Sequence, residues 1–437
     1  EFDRGHILFA ADYYHQKELE RRDRDFLGCP EDYVFSEDGE RRLDVIDPRT
    51  GEFGCPGGTA WGHIWTYFSS NLPDQDPNFS NPSIVSLLQF SYGNDNLGAY
   101  LPPIGPAVNP GDVIAPPGWY AVSYEEPLPY ILTNAYSPFE QKSSVIPETD
   151  RYTLYADGSL DITDDIEFYA EGLFNRRKTY IDSYSQFYNF GYTDLYAPGD
   201  PDDPFPGWSS FGGLGAFISP TGILDQYDNW IEVDYYRGVA GLRGDVTDSI
   251  QFDITGQYSI SKGKYTFQQI LNDSIYQQTL RAYGYGCAGL FTEIEGKPCL
   301  QMNWVDPRVM AGDLTQAEID YLIGEETGRT DYEQMFLEAS VSGELFELPG
   351  GPLGFAFGGT IRRDEIDDMP GDITYALVPG GDPDNPDDYV DNGFANPFSA
   401  APTAGYSVTK ELFGELELPV LADKPFFQEL TFSAAAR

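Results

Sequence analysis

Three histidines (His6, His15, His63), four cysteines (Cys29, Cys55, Cys287, Cys299) and a surplus of carboxylates are the groups from which this chain could build chemistry. Three imidazoles leave little for histidine-based catalysis or a dedicated metal cage. The cysteines fall in two close pairs, Cys29 with Cys55 and Cys287 with Cys299, each in Gly- and Pro-rich loop sequence. An even count with local pairing points to two loop-closing disulfides and an oxidising compartment. Four unrelated thiols or one zinc site are the alternatives, and the CxxC spacing that zinc sites favour is missing. No Gly-x-Ser-x-Gly elbow, Walker loop or HExxH helix occurs. The reading is therefore of a protein that is not an enzyme, with no cofactor and no metal.

The 437 residues carry 26 Lys and Arg against 71 Asp and Glu, a formal charge of −45. So negative a chain lacks the basic surface that neutralises phosphates, which argues against a nucleic-acid partner. Hydrophobic residues at 41% and aromatics at 15% argue against disorder. No apolar run approaches the roughly 18 residues of a transmembrane helix. The chain begins at Glu1 without an initiator Met or signal peptide, and it stops at Arg437 inside a strand-like pattern.

Elements that must position these groups are strands, because period-2 alternation recurs in pairs. Tyr152, Leu154, Ala156, Gly158, Leu160 and Ile162 share one face, against Thr153, Tyr155, Asp157, Ser159 and Asp161. After Thr163-Asp164-Asp165 the pattern resumes through Ile166, Phe168, Ala170, Gly172 and Phe174, which makes an antiparallel hairpin. A second hairpin runs from Tyr236 to Val246, turns at Thr247-Asp248-Ser249 and returns from Ile250 to Ile260. A third joins Met335–Leu345 to Leu353–Ile361 through Leu348 to Pro352. A fourth joins Leu412–Leu418 to Leu430–Ala436 through Leu421 to Pro425. A lone strand covers Gly5 to Gln16, giving about nine strands in all.

Turns inside the hairpins are short, whereas the connections between them (17–150, 182–229, 265–331 and 366–407) are long. Loops of that length argue against a compact soluble domain. They suit an antiparallel transmembrane β-barrel with short periplasmic turns, long extracellular loops and strands of about 11 residues. A soluble β-sandwich would alternate in the same way but would not explain the short–long rhythm. Acidic, turn-rich stretches at 198–204 and 380–388 lack the frame of a calcium loop and read as solvated loop. One short helix is expected at Leu314–Leu322, opened by the capping box of Thr315 and Glu318.

Several segments also look familiar. Tyr152 to Ala156 and Ile166 to Glu171, closing on Asn175-Arg176-Arg177, resemble mid-barrel strands of TonB-dependent outer-membrane receptors. So do Leu348 to Ala356 with Arg362 to Glu365, and Lys410 to Leu412 with Leu421 to Pro425. The Cys-bearing loop followed by the Leu314–Leu322 helix is similar to the same family. The resemblance implies a barrel of the 22-stranded transporter type, occluded by an N-terminal plug and seated in the lipid of the bacterial outer membrane. It implies import of a scarce ligand, such as a siderophore-type metal chelate, cobalamin or an oligosaccharide, powered by a TonB-type partner that contacts the plug. Plug and final strands are missing from residues 1–437, so the chain reads as an internal barrel fragment. Alone, such a fragment would expose lipid-facing stripes and unpaired edges and should aggregate.

Strand parity then names the inward side chains. Arg151, Arg177, Arg237 and Arg362 point inward near the long-loop ends of their strands, where a basic cluster could guide an anionic ligand. The competing reading pairs them with inward acids or with the plug. Glu167, Glu171, Glu338, Glu344, Glu411, Glu415 and Glu417 are such acids, better read as ion-pair partners than as a glycosidase pair. Loop aromatics (Trp61, Trp65, Tyr67, Phe68; Tyr184, Phe187, Tyr188, Phe190, Tyr192) either stack on a ligand or bind the loops into a rigid crown. A secreted or surface acidic β-rich binding protein without a transport role is the alternative function.

Overall fold

The computed structural model describes residues 4–28, 38–40, 61–68, 83–90, 119–122, 137–188, 191–192, 217–279, 289–292, 295–377, 380–382, 385–391 and 401–437. Nine long strands dominate it: β1 (Gly5–Gln16), β2 (Glu148–Asp161), β3 (Ile166–Ile181), β4 (Asn229–Thr247), β5 (Ile250–Ile270), β6 (Ile323–Leu348), β7 (Gly351–Met369), β8 (Thr403–Lys424) and β9 (Phe427–Ala436). They form one antiparallel sheet in chain order. Each strand anticipated from alternation is present. β1 and β9 are the edges among the described residues, and the sheet does not close on itself there.

The register separates the two faces cleanly. Phe9, Leu154, Leu337, Phe357 and Leu412 lie on one face and are 78%, 54%, 51%, 55% and 70% exposed. Such a stripe across nine strands is far larger than the apolar patches that soluble monomers leave to water. The opposite face carries Asp, Glu, Gln, Thr and Arg joined by hydrogen bonds.

Strands continue well past the apolar stripe, into the expected 265–331 connection for β5 and β6, whereas β4 starts where the 182–229 connection was expected to end. β6 begins at Ile323 and β4 at Asn229, where alternation along the chain marks only Met335 and Tyr236. The apolar face changes character there. Tyr13 stacks on Tyr152 (4.9 Å between centroids), Phe174 on Tyr236 (5.1 Å) and Tyr180 on Trp230 (5.6 Å). Among and beyond these rings come rows of alternating charge across successive strands. Asp150, Lys178, Glu232 and Lys264 form one row, and Arg176, Asp234, Lys262 and Asp331 the next. Arg176 grips Asp234 through Nε–Oδ1 at 2.6 Å and Nη2–Oδ2 at 2.5 Å, while Lys178 Nζ lies 3.2 Å from Glu232. Opposite charges on facing residues hold a ladder together where hydrophobic burial has ended.

The first three turns fall where expected. In the fourth hairpin the strands run on to Lys424, and the reversal is made by Pro425 and Phe426. Pro419 has no amide for the ladder, and the register slips between Pro419 and Leu421. Asp423 and Phe426 absorb the tight reversal with φ of 50° and 75°.

Described segments of the long connections pack together into a crown. His63–Phe68, Ser83–Phe90 and Trp119–Val122 from the first connection pair with Ser185–Tyr188, Gly191–Tyr192 and Phe217–Leu224 from the second, in one six-stranded sheet. The third connection adds the helices Pro307–Met310 and Gln316–Leu322, the latter opened by the expected reciprocal bonds between Thr315 and Glu318. Ile64, Ile218, Leu224, Trp304, Val309, Met310 and Leu322 share one buried core, with Phe187 set edge-on to Trp304 at 5.5 Å. Three connections far apart in sequence therefore meet in a single hydrophobic cluster. The fourth is tied down separately. Glu326 on β6 accepts from the amides of Ile373 (2.8 Å) and Thr374 (2.9 Å) and from the Thr374 hydroxyl.

Candidate functional site: the polar face of the sheet

Two of the four inward arginines belong to one continuous chain of hydrogen bonds across five strands. Arg237 on β4 reaches Glu171 on β3 (3.3 Å) and Gln257 on β5 (2.9 Å). Gln257 donates to Gln334 on β6 (3.1 Å), which donates to Asp364 on β7 (2.9 Å). Asp364 also accepts from Tyr332 (2.7 Å) and from Arg362 Nε (2.7 Å). Every link joins side chains on one face, so register alone brings them into reach. Arg237 and Arg362 thus have side-chain partners, Arg362 with Asp364 two residues along its own strand. Arg237 also sits near mid-strand rather than at a loop end, because β4 begins eight residues earlier.

Arg151 and Arg177 behave differently. They are direct cross-strand partners on β2 and β3, close to where the long connections begin. Arg151 lies 3.9 Å from Asp12 and over the Tyr14 ring at 5.1 Å. Arg177 is exposed and forms no ion pair or hydrogen bond with another side chain among the described residues. Like charges set opposite each other destabilise a sheet. A local conflict of this kind commonly marks a position kept for binding.

The acids divide in the same manner. Glu167 pairs with Arg243 at 2.6 Å, Glu171 with Arg237, and Glu411 with Arg437. Glu338, Glu344, Glu415 and Glu417 have no ion pair among the described residues. Glu338 and Glu415 line a cavity of about 480 Å³ toward the short-turn end, together with Thr360 and Phe413. The polar face is therefore graded, with unpaired guanidinium at the long-connection end and open carboxylates at the other.

Large rings on this face lie over glycines of the next strand. Tyr169 crosses Gly241, directly opposite on β4, to bond Asp253 (3.0 Å) and Thr255 on β5. A Cβ at Gly241 would stand 2.4 Å from that ring. Phe413 covers Gly358 in the same way.

One constellation has the residue types of a hydrolase triad. Ser159 Oγ is 3.0 Å from His6 Nδ1, and His6 Nε2 is 3.1 Å from Asp157. It does not have the surroundings. Ser159 sits on a strand paired on both sides, so neighbouring amides are committed to the ladder and none is left as an oxyanion donor.

In the crown, burial depresses the His63 imidazole to about 4. At its root, burial together with the charges of Asp228, Asp225 and Glu18 raises the Asp182 carboxyl to about 6. Burial pushes the Glu318 carboxyl up, but Arg308 at 2.7 Å and the Thr315 amide and hydroxyl together hold it below the usual carboxylate range. Phe187 is a core residue of the crown. Side chains of Trp65, Tyr67, Phe68, Tyr188, Phe190 and Tyr192 lie outside the described residues, as do Cys29, Cys55, Cys287 and the stretch 198–204. Cys299 is not a free thiol, and the Tyr321 hydroxyl stands 3.2 Å from its sulfur.

Strands of the crown escaped the alternation analysis, because short runs such as Ser83–Phe90 are apolar without a period-2 pattern. Gln257, Gln334 and Asp364 become linked only through the register of β5, β6 and β7.

No family model and no curated protein matches this chain. Among solved structures, the ferric-catecholate import receptor Fiu from E. coli K12, in its open form, aligns with 66% of this chain and 35% of its own length. The TM-score is 0.29 and the identity 8%.

Proposed function

We propose that the chain is a wall segment of an outer-membrane active-transport receptor, with the apolar face toward lipid and the polar face toward a lumen. One observation carries this reading: an exposed apolar stripe spans nine strands, backed by a hydrogen-bonded polar face. Lipid satisfies such a stripe, water does not. Short turns then face the periplasm and the crown covers the extracellular mouth. In this arrangement Arg151 and Arg177 meet an anionic ligand, of the siderophore-type metal-chelate class, as it passes the crown. Glu338, Glu415 and Glu417 face the cationic side chains of a plug, through which a TonB-type partner supplies energy. Cobalamin or an oligosaccharide would engage the same mouth with less use of the guanidiniums. The chain carries out no chemical step.

Membrane fractionation with semi-native electrophoresis tests the reading. A transmembrane wall requires detergent and migrates differently before and after heating. Solubility in plain buffer, with unchanged migration, would instead favour a secreted or surface acidic binding protein.

A further inference from the structure

We infer that His15, Asp150 and Glu148 form a binding site for one transition-metal dication of the Zn²⁺ class, which pins β1 to β2 at the root of the first long connection. This does not rest on the transport reading. His15 and Asp150 are direct cross-strand partners, and Glu148 projects from the same face two residues along β2. One ligating atom from each lies within 4.8 Å of the other two. Donors around a tetrahedral zinc stand roughly 3.4 Å apart, so small rotations of exposed side chains close the gap. One imidazole with two carboxylates is a donor set for zinc, copper or nickel; calcium takes six to eight oxygens, and two carboxylates do not supply them.

The surroundings favour the site independently. Tyr13 donates its hydroxyl to Asp150 Oδ1 at 2.8 Å, which orients the carboxylate and leaves Oδ2 open. Lys178, the partner of Asp150 on β3, has its amine 3.2 Å from Glu232. Glu148 and Asp150 also line a cavity of about 320 Å³, together with Lys178, Glu232 and Lys264. His15 Nδ1 stands 3.0 Å from Asp150 Oδ1. Where that bond is a donated N–H, the cation takes the place of the hydrogen at Nδ1 and the neutral ring carries its hydrogen on Nε2 instead. The first connection leaves the sheet beyond Gln16 and re-enters it at Glu148. A cation at this point closes the loop at its base.

Calorimetric titration of the full chain in detergent micelles with Zn²⁺ should show one saturable site. His15→Ala and Glu148→Gln should each weaken it at least about tenfold. Asp164→Asn removes a fully exposed carboxylate in a short turn and should leave binding unchanged. Cu²⁺ electron paramagnetic resonance on the unaltered chain should show hyperfine coupling to a single imidazole nitrogen, a readout that needs no variant to fold. Absence of Zn²⁺ binding, equal loss in Asp164→Asn, undiminished binding in His15→Ala, or a copper spectrum without nitrogen coupling would each overturn the inference.

Discussion

Arg151 and Arg177 stand directly opposite each other on the polar face of β2 and β3, with Asp12 at 3.9 Å from the first as the nearest described carboxylate. Two facing guanidiniums cost stability unless an anion joins them. Arg237, by contrast, is engaged by Glu171 and Gln257. In a complete receptor, Arg177→Gln should lower ligand uptake at least about tenfold, as expected for loss of a charge-assisted contact, at unchanged surface abundance. Arg237→Gln should lower abundance and uptake together. Uptake assays paired with surface labelling distinguish the two, and matched losses in both variants would remove Arg177 from the ligand path.

Gly241 is required by the ring above it. Gly241→Ala should cost about 1–3 kcal/mol, because its Cβ meets Tyr169 at 2.4 Å. Adding Tyr169→Ala should recover part of that loss, with both effects read from unfolding midpoints in detergent. Non-interacting, additive losses would mean that the ring has another resting place.

Buried His63 and half-buried Asp182 give the crown and its root opposing pH responses. The folded His63 value of about 4 lies below its ordinary 6.5. Its contribution is therefore complete above about pH 6.5 and fades as pH falls toward 4, by up to about 3 kcal/mol. Asp182, raised to about 6, acts in the opposite direction and costs stability as pH rises from about 4 to 6. Tryptophan fluorescence should show the crown loosening at pH 4.5 in the parent chain, less so in His63→Gln. Asp182→Asn should raise the midpoint at pH 8 and change little at pH 4.

The two faces should tolerate charge unequally. Leu337→Arg, on the apolar face, should cost roughly 2–4 kcal/mol in lipid, whereas Ser340→Arg, three residues on and facing the other way, should be nearly neutral. Refolding yields into lipid vesicles provide the measurement. Equal penalties would contradict the assignment of faces.

Alternation along the chain was enough to locate all nine long strands, because each apolar stripe is written within a single segment. The extension of β5 and β6 into 265–331 was not legible. There, stability comes from charges alternating across strands, as from Lys178 to Glu232 to Lys264, a relation that no one strand contains. The shared polar face of Arg237 and Arg362 followed from parity, yet their link through Gln257, Gln334 and Asp364 depends on pairings between distant segments. Crown strands were hidden for a further reason. Ile64 and Ile218 meet across some 150 residues of chain, and their short runs carry no periodic signature.

The shared core of the crown has a consequence for how such a protein diverges. Ile64, Leu224 and Trp304 come from three separate connections but bury one another. Transplanting any one of these segments from a relative would bring a third of an interior without its complement. New surface chemistry is therefore expected to arise through point changes at exposed positions of the segments, or through joint replacement of all three, and not by exchange of a single loop.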